Sequence, residues 1–307
     1  MTAINFLGLR MVLPTFSDNR ATVITNFTQS LGAELLVNGD FSAWTGDDPD
    51  GWTVSGEVGA DPEMSEVGTG EAHGGVGTGS ANFFSSATNF QPRIAQTILT
   101  SKSWYQIDID VSLVTSGSLY NLTPGLTELA QITGDAGLFG FVTATAFTLT
   151  DWTAASDVTV DTVSVKKATL NAVHTFAANG TFDFEYTLPG SPTRGNQTIL
   201  LFRIADIANG DFWMARVLRQ NSGVDYNFYL DKVIAGVATN KFAVANVGIT
   251  DAIRAVCAGN DITCYTRASG TWTQRGTTQT DAQWATATGI TTAYYSSTTP
   301  TKLILNA

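Results

Sequence analysis

Asp108 and Asp110 stand two residues apart in Gln106-Ile107-Asp108-Ile109-Asp110, and in an extended chain that spacing puts both carboxylates on one face. Two carboxyl groups about 5 to 5.5 Å apart are what a retaining glycoside hydrolase needs as nucleophile and acid, and acids at i and i+2 or i+4 of one strand can supply them. The plainer account is the solvated outer face of an amphipathic strand, because Tyr105, Ile107, Ile109 and Val111 alternate with the acids and face inward. Asp183 and Glu185 repeat the arrangement opposite Phe182, Phe184 and Tyr186, with the same two readings. A serine or cysteine nucleophile would need a histidine base. Only His73, in a glycine-rich stretch, and His174 are present, and no Gly-x-Ser-x-Gly turn accompanies either. The expectation is a protein that is not an enzyme and uses no cofactor.

The two cysteines, Cys257 and Cys264, flank Ala258-Gly259-Asn260-Asp261, a hairpin sequence. A turn centred on Asn260-Asp261 would set the thiols opposite one another, within reach of a cross-strand disulfide. The alternative is two small apolar side chains beneath a turn.

The elements that must position these groups read as strands. Of the 307 residues, 43% are hydrophobic and only 14% charged, so a folded core is available and the surface must be built mostly from Thr, Ser, Asn and Gly. Twenty-nine glycines, abundant Thr and Val and few stretches of helical period predict an all-β chain. We read an arm over 1–34, a first sandwich over 35–168 and a second over 169–307. Strands are expected over 81–84, 94–98, 104–112, 139–149 and 158–165, then over 182–186, 197–204, 211–218, 226–230 and 253–265. Within the arm, Phe6, Leu7, Leu9, Met11, Val12 and Leu13 are apolar without a clean period, Pro14 interrupts, and a short helix from Ser17 or Asp18 would place Val23 and Phe27 on one face. Such an arm either packs on its own domain or docks into a larger assembly.

A net charge of -11 and a pI near 4.5 disfavour nucleic acid and anionic lipid as partners. No apolar run approaches the roughly 20 residues of a membrane-spanning helix, and the amino terminus has no signal-peptide pattern. The sequons at Asn26, Asn121, Asn179 and Asn196 are what chance supplies where Asn and Thr are this frequent.

Several segments resemble known families. Leu35-Leu36-Val37-Asn38-Gly39-Asp40-Phe41-Ser42-Ala43-Trp44, closed by Asp48-Pro49-Asp50-Gly51-Trp52, resembles the opening of carbohydrate-binding-module and galactose-binding-like jelly rolls, and Asp161-Thr162-Val163-Ser164 resembles their closing strand. The resemblance implies a structural calcium at the backbone near Asn38 and Gly39, with Asp40 and Asp161 as side-chain ligands, although the usual acidic residue after the Phe is Ser42 here. It also implies glycan binding, which requires an exposed aromatic face with polar groups beside it. The aromatics on offer are Trp44, Trp52, Phe83, Phe84, Trp104 and Tyr120 in the first sandwich and Trp213, Tyr226, Trp272 and Trp284 in the second, most of them expected in cores. Trp44 with Asp47 and Asp48 is the glycan site expected. Ile253 to Tyr265 resembles the signature hairpin of laminin-G-like, concanavalin-type domains, with Ala268-Ser269-Gly270 where a second Asn-Gly turn is usual. The acid pattern of 106–110 is similar to that of concanavalin-fold glycosidases, but Gln106 replaces the leading acid.

The segment from Leu9 through Asp18-Asn19-Arg20-Ala21-Thr22 to Gly32-Ala33-Glu34-Leu35 resembles the start of tailed-bacteriophage virion proteins. Together these imply a non-enzymatic virion protein of the capsid surface or tail. It would dock on other virion proteins through Phe6, Leu7, Leu9, Met11, Val12 and Leu13, associate with copies of itself as a trimer, and reinforce the particle or bind a surface glycan. A free bacterial glycan-binding protein and a concanavalin-type glycosidase are the other readings.

Overall fold

The computed structural model describes residues 21–58, 62–67, 79–86, 91–123, 132–151, 155–188, 195, 197–219 and 226–306. The apolar residues Phe6 to Leu13, His73 and the sequon at Asn196 lie outside them. Among the described residues there is no helix, and the strand pairings are antiparallel, so the all-β expectation holds.

Four sheets stack face to face. Sheet I is ordered Leu119–Asn121, Phe147–Asp151, Arg93–Gln96, Thr53–Ser55. Sheet II is ordered Ala136–Val142, Ser103–Ser116, Ser156–Thr169, Ala81–Ser85, Glu63–Glu66, with Ser30–Glu34 added beside Ser156–Thr169. Sheet III is ordered His174–Thr175, Gly289–Tyr294, Gln197–Asp206, Asp211–Arg219, Tyr226–Ile234, Val237–Val244. Sheet IV is ordered Thr22–Ile24, Thr299–Asn306, Gly180–Thr187, Ala252–Ala258, Asp261–Ala268, Thr271–Thr280.

One core lies between sheets I and II, built from Phe41, Trp52, Phe83, Ile94, Tyr105, Ile107, Ile109, Phe147 and Val163, among others. Another fills the space between sheets III and IV, around Phe182, Phe184, Phe202, Trp213, Phe228, Ile253 and Leu303. A third layer joins the two sandwiches: Trp104, Phe139, Phe141 and Ala168 of sheet II meet Ile199, Leu201, Ile204, Phe212, Val233, Ala293 and Tyr295.

Where they meet, sheets II and III are therefore apolar on both faces, and strands such as Ala136–Val142 and the first part of Gln197–Asp206 read as nearly continuous hydrophobic runs rather than as alternation. All seven residues of Ala136–Val142 are buried: Ala136, Leu138 and Val142 enter the first core while Phe139 and Phe141 enter the middle layer. This is why alternation over 139–149 is weak; that stretch is also two strands, Ala136–Val142 and Phe147–Asp151.

Rings dominate the middle layer. Trp104 stacks on Phe139 at 5.6 Å and on Phe212 at 6.1 Å, and Phe141 meets Phe212 edge-on at 5.9 Å. Two glycines in the turns between strands of sheet III make this approach possible. At Gly210 a Cβ would sit 2.7 Å from the Phe141 ring, and at Gly236 a Cβ would sit 2.6 Å from the Thr143 methyl.

The amino-terminal segment also differs from expectation. Asp18 lies outside the described residues, but Thr22–Ile24, within the anticipated helix, is an edge strand paired with Leu303, Ile304 and Leu305. Phe27 then plugs the second core, 5.9 Å from Phe184 and 6.5 Å from Tyr294. Asn171 accepts from the Thr28 and Gln29 amides at 2.5 and 2.8 Å and donates to Thr292. The Gln29 side chain donates to the Tyr294 carbonyl and accepts from the Tyr294 amide. From Ser30 the chain joins sheet II, so residues 22–34 form a strap hydrogen-bonded to both sandwiches rather than part of a free arm.

Glu34 locks the strap's end. Its carboxylate accepts from the Leu35, Leu36 and Val165 amides at 3.0, 3.1 and 2.8 Å and from the Ser164 hydroxyl at 2.6 Å. Partial burial pushes its pKa up, but these donors outweigh that and hold it below the usual carboxylate range.

Trp104→Ala should cost about 3–5 kcal/mol, the usual penalty for a large core aromatic. Because the ring belongs to the layer joining the sandwiches, urea unfolding followed by tryptophan fluorescence should also split into two transitions. A single unchanged transition would mean that the layer does not couple them. For Glu34, a depressed folded pKa contributes stability above the pKa of the unfolded chain, which is lost as pH falls through the folded value. Glu34→Gln should therefore lower stability at neutral pH slightly and flatten its decline between about pH 5 and pH 3, measured by thermal melts across that range.

Candidate functional site

The outward face of sheet IV carries the densest set of chemically capable side chains among the described residues. Cross-strand register builds it. Asp183, Arg254, Tyr265 and Gln274 line up across four strands, and Glu185, Ala252, Arg267 and Trp272 form the next row. Inward-facing residues of the same strands, Phe182, Phe184, Ile253, Ala255, Ile262 and Cys264, fill the second core, which fixes the outward direction of the rest.

Arg254 meets Asp183 through two hydrogen bonds of 2.6 Å, and its guanidinium lies 4.0 Å from the centre of the Trp272 ring. Arg267 approaches the same ring at 5.4 Å while donating to Asp251 at 2.7 Å and Glu185 at 2.8 Å. Lys302 reaches the other Glu185 oxygen at 3.4 Å. The hydrogen bonds to Asp183 raise the Arg254 pKa. Burial pushes Glu185 up, but Arg267 and Lys302 outweigh it and hold the carboxyl below its usual range. Three cations face three carboxylates around one half-buried indole.

Asp183 and Glu185 are thus tied to guanidinium groups rather than solvated as the sequence suggests, and Glu185, held below its usual range, is not poised to donate a proton near neutrality. What this face offers is a rigid polar platform with one indole set among fixed donors and acceptors. Sequence reasoning counted Trp272 among the aromatics but missed Arg254 and Arg267. Alternation places all three outward, but only the strand register brings them together.

That register depends on the hairpin turn, and here the expectation fails. Ala258 pairs with Asp261, so the turn is Gly259-Asn260, with Gly259 at φ 58° supplying the positive angle wanted at a two-residue turn. Cys257 then faces Ile262 and Cys264 faces Ala255, a diagonal offset that does not bring the sulfurs opposite each other. Both cysteines are free and buried, and the disulfide is ruled out by register. Burial pushes the Cys257 thiol up to about 11 and raises Cys264 further. The next turn, Ser269-Gly270, is a two-residue hairpin with φ 50° and 80°, so Ala268-Ser269-Gly270 takes the place of the Asn-Gly turn structurally.

Asp108 and Asp110 do not share one environment. The outer face of their strand is the side turned to sheet III: Gln106 is buried, donating to Ser296 at 2.9 Å and accepting from its amide, while Asp108 accepts from the Tyr295 hydroxyl. Gly137 makes room for that contact, since a Cβ there would meet the Tyr295 ring at 2.4 Å. Asp110 is exposed and accepts from Thr162. Asp108 therefore fastens one sandwich to the other, a role the solvated reading did not foresee.

The loop from Leu35 to Trp52 is organised by Asn38. Its side-chain amide donates to the Ala43 and Asp50 carbonyls and accepts from the Ala43 amide. Leu35 to Val37 lie beyond the strand Ser30–Glu34, so the motif opens as a largely exposed loop rather than a strand, anchored by buried Leu36 and Phe41, before the short pairing of Trp44–Thr45 with Asp48–Pro49; Asn38 and Phe41 are at positive φ. Phe41 stacks on Trp52 at 5.5 Å. Trp44 is half-buried against the first core, and its indole N–H donates to the Phe41 carbonyl at 2.7 Å. Asp47 and Asp48 are exposed at the adjoining tip, where slight burial and then the Asp47 charge raise the Asp48 pKa.

For calcium, Asp40 is exposed and accepts from Ser42, while Asp161 accepts from Ser80 at 2.6 Å. The carbonyls of Asn38 and Gly39 already accept from Trp52 and Val163. Among the described residues no three His, Cys, Asp or Glu side chains gather as a metal site would require. Trp213 and Tyr226 are core residues, and His174 is half-buried in a two-residue strand paired with Gly289 and Ile290.

Comparisons with known protein families, with curated proteins and with solved structures found no match.

Two free thiols per chain should react with a thiol reagent after denaturation without reductant, and neither should react appreciably in the native protein at pH 8. A denatured chain showing no thiol, and gaining two on reduction, would overturn the hairpin register.

Proposed function

We propose that this chain is a non-catalytic structural protein of a bacteriophage particle, docked through residues upstream of the strap and presenting its stacked sheets outward. The observation that carries this reading is the fusion of two sandwiches into one four-layer body through the ring-filled middle layer, which suits a rigid spacer or reinforcing element. Two further features support it. Of the paired acids that could have served a hydrolase, Asp108 is engaged as a sandwich-to-sandwich fastener and Asp183 and Glu185 in arginine pairs. The strap fixes the chain that follows the apolar segment Phe6 to Leu13 to both sandwiches, so a load taken up by that segment is delivered to the whole body. The resemblance to virion proteins adds copies of itself, as a trimer, and neighbouring capsid or tail proteins as partners.

A second reading, a free glycan-binding protein, is favoured by one observation: Trp272 is half-exposed on a rigid sheet beside Tyr265, Gln274 and fixed guanidinium groups.

The full chain and a variant beginning at residue 21 should both fold, as judged by circular dichroism, but only the full chain should co-sediment with particles of the source phage. Equal behaviour of the two would overturn docking through the upstream segment. Millimolar or tighter sugar affinity that Trp272→Ala abolishes, without particle association, would establish the second reading instead.

A further inference from the structure

Arg203 combines two energetic costs that a core strand does not normally tolerate. It sits at φ 46° within Gln197–Asp206, where the ladder to Asp211–Arg219 shifts register between Phe202 and Asp206 and the ladder to Gly289–Tyr294 shifts between Leu201 and Ile204. A non-glycine residue in that conformation is strained and points to a requirement elsewhere. The bulge turns Phe202 and Arg203 alike toward sheet IV and sends Ile204 back to the middle layer.

The guanidinium it buries is 1% exposed and under-satisfied. Nη2 donates to the Gly259 carbonyl at 2.5 Å and the group also touches the Cys257 thiol, but Nε and Nη1 have no partner. Trp213 pairs with Phe202, the residue before Arg203, and its fully buried Nε1–H likewise lacks an acceptor. Across the ladder from Trp213 is Lys232, whose ammonium lies 5.7 Å from the Trp213 ring and 5.6 Å from that of Trp284. Lys232 is satisfied by Asp281 at 2.5 Å, and the Asp281 amide donates to the Asn260 carbonyl, so the Gly259-Asn260 turn links the two cations.

The cluster thus holds two cations and one carboxylate already committed to Lys232, with three buried donor nitrogens and no acceptor for them. Cys257 does not supply the missing charge, because burial keeps its thiol protonated at neutral pH. An unpaired buried donor forfeits its hydration with nothing in return, at a greater cost when it is charged. A single compact anion would offer acceptors to these donors and neutralise the guanidinium together.

We propose that Arg203, with Trp213 beside it, forms a binding site for a small inorganic anion of halide size in the interior of the second sandwich, next to the Gly259-Asn260 turn. The close packing of Phe202, Cys257 and Ile262 in this core restricts the ligand to that size.

Crystals of the full chain soaked in sodium bromide test this directly. An anomalous peak within hydrogen-bonding distance of Arg203 Nε or Nη1 is the expected result; an ordered water there, or nothing, would overturn the site. In solution, the melting temperature should rise with bromide relative to gluconate at equal ionic strength, and Arg203→Met should lose that rise. An equal rise in the variant would count against the proposal, and should the variant not fold, the diffraction result on the unmodified chain decides.

Discussion

The contact between Trp104, Phe139 and Phe141 on one side and Phe212, Ile199 and Leu201 on the other governs the rest of the molecule. Sheets with one wet face can stand alone as half of a sandwich. Here the two central sheets have no wet face over this area, so each sandwich completes the burial of the other. Aromatic rings suit the task because they cover much area with few rotatable bonds, and their stacked and edge-on contacts add specificity to the burial.

A sheet apolar on both sides leaves its polar residues little choice but to be paired. Asn171 uses its amide in full, accepting from two strap amides and donating to Thr292. Arg216 is buried with its Nε on Asp231 and its plane 4.5 Å from the Tyr229 ring, while Asn240 holds the other Asp231 oxygen. Gln106 and Asp108 take up Ser296 and Tyr295. The Gln106 and Asp108 contacts set where the layers meet and in which register, since an apolar contact alone would let the faces slide, while the Arg216 group ties neighbouring strands within sheet III. The outward face of sheet IV, by contrast, keeps water on one side, and its ion pairs with Trp272 are the part of the surface that a ligand could reach.

Much of this was legible in the chain itself. The all-β class follows from composition, and strands such as Tyr105 to Val111 and Phe182 to Tyr186 follow from clean alternation because one of their faces is uniformly apolar. The meeting of the two sandwiches was not legible, because alternation assigns a residue to a face without saying what covers that face. Asp108 reads as solvated for that reason. The same limit applies to Cys257 and Cys264 and to the Arg254 and Trp272 pair: moving a turn by one residue changes every cross-strand neighbour, and Gly259-Asn260-Asp261 allows two placements. Thr22–Ile24 was lost for a different reason. A three-residue edge strand has too short a pattern to separate from one turn of helix, and its partner lies at the far end of the chain.

The strap has a mechanical meaning as well. A pull on the chain ahead of residue 21 arrives first at three residue pairs on the edge of sheet IV, and an edge ladder loaded at its end opens one pair at a time. Behind it stand the Phe27 plug, the Asn171 and Gln29 hydrogen bonds and the Glu34 lock, which engage both sandwiches together. Under tension from that end the chain would thus lengthen by a few residues, then stop against an anchorage shared by both sandwiches, a short compliant lead in front of a stiff block.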